Sequence, residues 1–357
     1  MMDRKRHYSK KFTLKTDWLA VSAVKLFIMF VVVFFVTVSS VAENSTLFRI
    51  GTGGKTGVYY PIGRIIAQGI TNTLSAVEAD ISGETGAPGY ISVAQNSAGS
   101  VDNIRGVVTG EIEAGLVQAD IASWAFNGEH IFKEKANGQS IRAIASLYPE
   151  KFQIVTRRDA NIRNVNDLRG KRISVDEVGS GTLAIMRIIL EAHGLKESDL
   201  SPVYLKPVFT HNKIVSGELQ GFVMMAGAPM AAVSQLIETG ISLVPIAPDM
   251  ASRIETKYPY LVPCTISAGV YPGIPDTSTL QVHALLIVNA TLDEEVAYKI
   301  TSALWSDRTL SMLATGHPQG KSILPENALR GVSIPLHPGA KKYYMEQPVR
   351  FKGSSAK

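Results

Sequence analysis

Short apolar runs alternate along this chain with stretches in which apolar residues recur every three or four positions. The short runs predict β-strands near residues 48–50, 91–94, 114–117, 141–147, 152–156, 172–175, 222–225 and 282–288. The periodic stretches predict helices near residues 62–73, 101–110, 183–193, 230–238 and 293–305. This alternation favours mainly parallel α/β sheets with helices on both faces. Ligands of such sheets bind beyond the carboxyl ends of the strands.

A glycine-rich loop at residues 50–61, IGTGGKTGVYYP, joins the first predicted strand to the first predicted helix. Its glycines allow the backbone to approach a bound group, and the free N–H groups of a helix start attract anions. A Walker A loop would need glycine where Arg49 stands, and a dinucleotide fingerprint would need glycine in place of Thr56. The loop therefore predicts a polar or anionic ligand that is not a nucleotide.

Two further Gly/Ser-rich loops precede predicted helices, VGSGT at residues 178–182 and NSAGSVDN at residues 96–103. Ser180 and Thr182 suit an N-cap, and a capped helix without a ligand is the alternative interpretation of each loop. Val178 stands where a hydrolase nucleophile elbow needs glycine. Three such helix starts, divided between two halves of the chain, favour a cleft that holds one carboxylate-bearing solute.

Catalytic patterns are scarce in the sequence. None of the seven histidines has metal-site spacing, and the single cysteine, Cys264, lies in an apolar setting that suits a packed thiol. With one cysteine no intrachain disulfide can form. We therefore expect no enzyme activity, no metal and no cofactor; an enzyme on the same fold is the disfavoured alternative.

Residues 1–42 have the features of a secretory signal peptide. Basic residues precede a thirteen-residue apolar run at 26–38, and Ser40-Val41-Ala42 is a small-x-small cleavage site. A membrane span needs about 20 apolar residues, so we expect cleavage before Glu43 and a periplasmic protein. An uncleaved signal anchor is the alternative. The leader holds seven of the 36 basic and two of the 31 acidic residues, so 29 of each remain and a nucleic-acid partner loses electrostatic support.

Two extended segments predict crossings between domains, one at residues 142–155 and one at residues 265–273. If both cross, residues 150–262 form an inserted domain. Residues 43–149 and 263–357 then build the other domain.

With these residues in view, the chain resembles the solute-binding proteins of tripartite ATP-independent periplasmic (TRAP) transporters, in the branch called TAXI. The resemblance runs from about Phe48 to Tyr344. It rests on the motifs GTGGxxGVYYP at 51–61, GExxxxLVQAD at 110–120, SLYPE at 146–150, DLRGKR at 167–172, GSGT at 179–182, AGxYPG at 268–273 and PLHPGA at 335–340. One departure is the loop Asp176-Glu177-Val178, where small neutral residues are expected; it favours a cationic group on the ligand.

The resemblance implies a type II periplasmic-binding-protein fold, in which two α/β domains close around a ligand cleft by a hinge. It implies a small carboxylate or an acidic, glutamate-like amino acid as ligand and a TRAP permease in the membrane as partner. The motifs do not fix the contacts, but we expect them from Gly53, Gly54, Tyr59, Ser100, Asn103, Gln118, Ser180, Gly181, Thr182 and Pro229. A membrane-anchored receptor that feeds a sensory system is the alternative function.

Overall fold

The computed structural model describes residues 45–72, 74, 86–133, 138–348 and 350–351. The expected signal peptide and its cleavage site lie outside the described residues. Among the helices that are described, none combines the length and the apolar character needed to cross a membrane.

The order of elements is largely that of an α/β protein. The strands are β1 (Thr46–Gly51), β2 (Thr71–Asn72), β3 (Ala87–Pro88), β4 (Tyr90–Gln95), β5 (Ala114–Gln118), β6 (Ile141–Arg157), β7 (Arg172–Ser174), β8 (Ser201–Val203), β9 (Gly221–Ala226), β10 (Ile241–Leu243), β11 (Val262–Ile266) and β12 (Thr277–Asn289). The helices are α1 (Tyr59–Ile70), α2 (Ser100–Thr109), α3 (Ala119–Asn127), α4 (Gly181–Ala192), α5 (His211–Val215), α6 (Ala231–Ser234), α7 (Pro248–Lys257), α8 (Glu294–Leu304), α9 (Asp307–Gly316) and α10 (Pro338–Glu346).

One twelve-stranded sheet holds these elements together, in the order β3-β2-β4-β1-β5-β12-β6-β9-β7-β8. Strand β10 adds to β6, and β11 adds to β12. Strand β1 runs parallel to β4 and β5 at one end of the sheet, and β7 runs parallel to β8 and β9 at the other. Between these parallel groups lie the antiparallel strands β12 and β6.

The two long strands β6 and β12 pass from one half of the sheet to the other. Strand β6 pairs with β12 from Ile141 to Lys151, and then with β9 from Lys151 to Thr156. Strand β12 pairs with β11 over its first residues and with β5 from Ala284 onward. Both changes of partner occur where Lys151 lies opposite Gln281. The middle of the sheet is therefore a two-stranded ribbon shared by both halves.

Hydrophobic side chains cover both faces of the sheet, because the buried residues of its strands alternate between two clusters. In β12, Ala284, Leu286 and Val288 join one cluster, while Leu285 and Ile287 join the other. The period-two alternation of a strand points these two sets to opposite faces. Helix α1 packs on the first face and helix α4 on the second.

The C-terminal helices α8 and α10 pack on the first face of the sheet, and buried hydrogen bonds hold them to it. Trp305, after α8, donates from Nε1 to the hydroxyl of Tyr344 on α10 at 2.9 Å. The same hydroxyl donates to the carbonyl of Ile144 in β6, also at 2.9 Å. Both side chains are buried, and Phe351 stacks edge-on against each of them.

Three of the segments predicted from the sequence differ from the structure. The two strands expected at 141–147 and 152–156 are one strand, because β6 continues through Pro149. The helix expected at 230–238 is a single turn, α6, followed by a 3₁₀ turn at Ile237–Thr239. The second extended crossing was expected at 265–273, but residues after β11 form turns, and β12 is the strand that returns through the ribbon.

Candidate functional site

A cleft lies where the loops after β1, β4, β7 and β8 meet the ends of strands β5 and β9. These loops follow the carboxyl ends of their strands, which is the position expected for a ligand in an α/β sheet. The cleft is lined by Gly53, Gly54, Gly57, Val58, Tyr59, Ala98, Gly99, Ser100, Gln118, Glu150, Asp176, Ser180, Gly181, Thr182, Lys206, Pro207, Met224, Met225 and Ala226. It is narrow, since the space open to the centre of a water molecule is about 30 Å³.

A chain of hydrogen bonds forms one wall. The hydroxyl of Tyr59, the first residue of α1, donates to Glu150 Oε2 at 2.8 Å. It also lies 3.5 Å from Ser100 Oγ. Ser100 begins α2, and its Oγ accepts from the backbone N–H of Gln118 at 3.1 Å. The starts of two helices are thereby tied to the end of β5 and to the shared strand β6.

The opposite wall is the start of α4. Ser180 caps this helix, because its Oγ accepts from Leu183 N at 3.0 Å. Thr182 Oγ1 accepts from Met225 N at 3.2 Å, which fixes the helix start to β9. The backbone N–H groups of Gly181 and Thr182, in the first turn, are those that an α-helix leaves without an intrahelical partner. They suit an anionic group of a ligand.

Glycines let the two walls approach closely. Gly179, which precedes the cap residue Ser180, has a positive φ of 95°. Its carbonyl accepts a hydrogen bond from the backbone N–H of Asp102 in α2 at 3.2 Å. A Cβ on Gly181 would lie 2.5 Å from Gln118 Nε2. Lys206 Nζ adds a bond across the mouth, since it donates to Asn96 Oδ1 at 3.1 Å. The walls are in contact, so the cleft is closed in this structure.

Buried carboxyl groups dominate the electrostatics of the cleft. Burial raises the pKa of Asp176 to about 7 and raises the pKa of Glu150 well above its usual range, although the Tyr59 hydroxyl lowers the latter in part. Asp120, just beyond Gln118, is also buried, and desolvation raises its pKa to about 7. The backbone N–H groups of Asp120 and Ile121 lower that pKa in part, but neither carboxyl oxygen reaches hydrogen-bond geometry with a described residue.

Eight of the ten residues expected to bind the ligand line the cleft: Gly53, Gly54, Tyr59, Ser100, Gln118, Ser180, Gly181 and Thr182. Asn103 and Pro229 do not. Asn103 is fully buried beneath the cleft, where its Nδ2 donates to the carbonyls of Thr52 and Leu116 at 2.7 Å each. Pro229 follows a cis peptide bond, three residues beyond the lining residue Ala226.

The cleft is also lined by residues that were not among the expected ligand contacts, including Glu150, Asp176, Lys206 and Met224. A carboxylate inside the apolar run of β6 was the available signal for Glu150, and the acidic loop was the signal for Asp176. Lys206 lies in the mostly apolar segment VYLKPVF at 203–209, which contains no motif that indicates a ligand contact. Within the described parts of the chain no group of three or more histidine, cysteine or acidic side chains could hold a metal ion. The arrangement suits reversible binding of a small polar solute.

The chain has the α/β periplasmic-binding-protein fold that the sequence predicted, with parallel strand groups on both sides of a cleft at their carboxyl ends. Among solved structures, a protein of Bordetella bronchiseptica RB50 is 18% identical, with 88% of this chain and 84% of that chain covered and a TM-score of 0.47. The periplasmic aliphatic sulphonate binding protein SsuA of Escherichia coli is 14% identical, with coverage of 76% and 78% and a TM-score of 0.40. An ancestral arginine-binding protein bound to arginine is 14% identical, with coverage of 84% and 97% and a TM-score of 0.41.

A family model gives the assignment of this chain. It matches residues 50–347, which include every loop that lines the cleft. The chain belongs to the NMT1-like family.

Proposed function

We propose that this protein is the extracytoplasmic solute-binding subunit of a TRAP transporter. It captures a small carboxylate or an acidic, glutamate-like amino acid in the cleft and delivers it to the membrane permease without altering it chemically. The observation that carries this proposal is the meeting of two glycine-flanked helix starts, at Ser100 and Gly181, across one buried polar cleft.

The first part of this function is closure around the ligand. We assign residues 43–149 and 263–357 to one domain and residues 150–262 to the other. The ribbon of β6 and β12 supports the first boundary of this division, since β6 exchanges partners at Lys151. Strand β12 exchanges partners near Gln281, which lies 18 residues after Pro263, the first residue beyond the second boundary. Bending of the ribbon at these two residues would open the cleft and release the contact between Gln118 and Gly181.

The TRAP assignment rests on where the quoted motifs lie. The segments 51–61, 110–120, 146–150 and 179–182 are far apart in the sequence, and each contributes a lining residue to the cleft. An ATP-driven permease is the other partner to test. Transport by the reconstituted permease, driven by an ion gradient in the absence of ATP, supports the TRAP assignment; strict dependence on ATP contradicts it.

Delivery to a permease requires a protein that is free in the periplasm. We therefore propose that the leader is removed before Glu43. Intact-mass measurement of the protein from the periplasmic fraction is the check. A chain that keeps residues 1–42 and sediments with the membrane would favour the anchored sensory receptor.

A thermal-shift screen of the mature protein with small carboxylates and amino acids tests the binding function. A ligand at 100 times its Kd adds about 2.7 kcal/mol to the free energy of unfolding.

Calorimetry then compares Ser180→Ala and Thr182→Ala with the wild type. Loss of a hydroxyl that bonds a charged ligand costs about 1–3 kcal/mol, or about 5- to 150-fold in Kd. Loss of the Ser180 cap costs about 1 kcal/mol of folding. Unchanged affinity in both variants would mean that this loop only begins its helix.

A further inference from the structure

Three hydrogen-bond acceptors converge in the cleft from different elements. They are the carboxyl groups of Glu150 in β6 and Asp176 after β7, and the amide oxygen of Gln118 at the end of β5. The three residues are 1%, 5% and 3% exposed, respectively. The oxygen Oε1 of Gln118 has no hydrogen-bond partner among the described residues. Such unpartnered buried acceptors are costly, which indicates a role in binding a donor.

The basic side chain that lines the cleft is already paired with residues other than these three acceptors. Lys206 is the basic residue among the described lining residues, and its Nζ lies 3.0 Å from Glu177 Oε1 and 3.1 Å from Asn96 Oδ1. The Tyr59 hydroxyl satisfies one oxygen of Glu150 and carries no charge. The two buried carboxyl groups therefore lack a basic side chain of the protein as counter-ion.

We propose that Glu150, Asp176 and Gln118 form a subsite for a protonated amino group, so that the ligand is an amino acid and not a simple carboxylate. This rests on the proposed solute-binding function and narrows its ligand class. An ammonium group has three N–H donors and one positive charge, and it can satisfy one acceptor on each of the three residues.

The rest of an amino acid fits the same geometry. The α-carboxylate binds at the start of α4, whose first backbone N–H groups adjoin the Gln118 side chain at Gly181. Asp176 lies five residues before Gly181, the first residue of this helix, on the same wall. Carboxylate and ammonium are thus recognised side by side, as the zwitterion requires.

Matched ligand pairs separate the two ligand classes. Calorimetry on the mature protein uses L-glutamate, L-alanine and L-leucine, each with the 2-oxo acid of the same carbon skeleton. We expect at least one amino acid to bind, and to bind at least tenfold more tightly than its 2-oxo acid. Equal or tighter binding of the 2-oxo acids would overturn the ammonium subsite and leave the solute-binding function standing. No binding of any amino acid or 2-oxo acid, with no response in the wider screen, would overturn both.

The variant Asp176→Asn tests the subsite by a change in the protein instead of in the ligand. Its φ of 67° is one that asparagine tolerates, so the loop should keep its conformation. We expect at least a tenfold loss of amino-acid affinity and no loss for the 2-oxo acid. Glu150→Gln is the second variant, with the same expectation. Asp249→Asn, on the exposed start of α7, is the matched control and should bind as the wild type does. Unchanged amino-acid affinity in both cleft variants contradicts the proposal.

Discussion

At the scale of single residues, Gly181 determines how closely the two walls of the cleft approach. The Gln118 carboxamide occupies the space that any side chain at this position would need, with its Nε2, Cδ and Oε1 within 2.5–2.7 Å of an added Cβ. Gly181 has no positive φ, so the requirement for glycine comes from this contact and not from the backbone. The same residue presents a helix-start N–H group to the cleft.

We therefore predict that Gly181→Ala weakens ligand binding by tenfold or more. An added methyl group must displace Gln118 or hold the walls apart, and overpacking of this kind typically costs about 1–3 kcal/mol. Calorimetry with the ligand found in the screen measures the loss, and thermal unfolding of the ligand-free protein shows whether the variant is folded. A folded variant with wild-type affinity would show that closure does not depend on this contact.

At the scale of elements, sequence periodicity located most of the strands but missed long-range effects. Strand β6 was divided in two because Pro149 interrupts its pattern, and only pairing with β12 and β9 makes it continuous. Helices α3, α7, α9 and α10 were not predicted at all. Helix α3 is buried over most of its length, so its run ADIASWA lacks the polar face that reveals a helix.

The residues of the cleft, like the elements, could be predicted where they depend on the local sequence and not where they depend on long-range contacts. Loop composition identified residues that lie at helix starts, such as Ser180, because capping is a local property. Asn103 was expected to contact the ligand, but its side chain lies beneath the cleft, and its two bonds to Thr52 and Leu116 exist only in the folded chain. Lys206 could not be found from the sequence because Asn96, its partner across the cleft, is 110 residues away.

The bracing of β6 by the C-terminal helices gives a prediction for stability. Tyr344→Phe would leave Trp305 Nε1 and the Ile144 carbonyl without the hydroxyl that bonds both of them. Loss of buried hydrogen bonds with unsatisfied partners costs about 1–3 kcal/mol, so the free energy of unfolding should fall by that amount. Tyr343→Phe, on the preceding residue, is the matched comparison: its ring is also buried, but its hydroxyl bonds the partly exposed Ser302, so the loss should be smaller. Urea unfolding of both variants is the measurement; equal losses would contradict the role of the Tyr344 bridge.

At the scale of the whole molecule, buried ionisable groups make stability depend on pH in two opposing ways. Asp120 has a folded-state pKa of about 7 against an ordinary value of 3.8, so the stability it contributes is complete below pH 4 and is lost as the pH rises through 7. Asp176 acts in the same direction. Burial lowers the pKa of His283 from 6.5 to about 4, so its contribution is complete above pH 6.5 and is lost as the pH falls through 4.

A comparison of one variant with the wild type isolates the contribution of Asp120 to the pH dependence of stability. Asp120→Asn removes a charge that has no hydrogen-bond partner among the described residues and keeps the shape of the side chain. We expect its melting temperature to exceed that of the wild type at pH 8, and the excess to shrink toward pH 5 as the wild-type carboxyl becomes neutral. Removal of an unpaired buried charge should stabilise the protein at pH 8 by about 1–3 kcal/mol. A constant difference between pH 5 and pH 8 would contradict the raised pKa.

The shared ribbon also governs the order in which the chain can fold as it is synthesised. Strand β5 ends at Gln118, but its neighbour β12 begins only at Thr277, so a growing chain carries β5 with one open edge for more than 150 residues. Open strand edges invite pairing with other chains, and contacts this distant in sequence slow folding. The nascent chain therefore cannot close its sheet until the ribosome has made nearly four-fifths of it. For the export proposed above, this delay would favour passage through a secretion channel before the sheet forms.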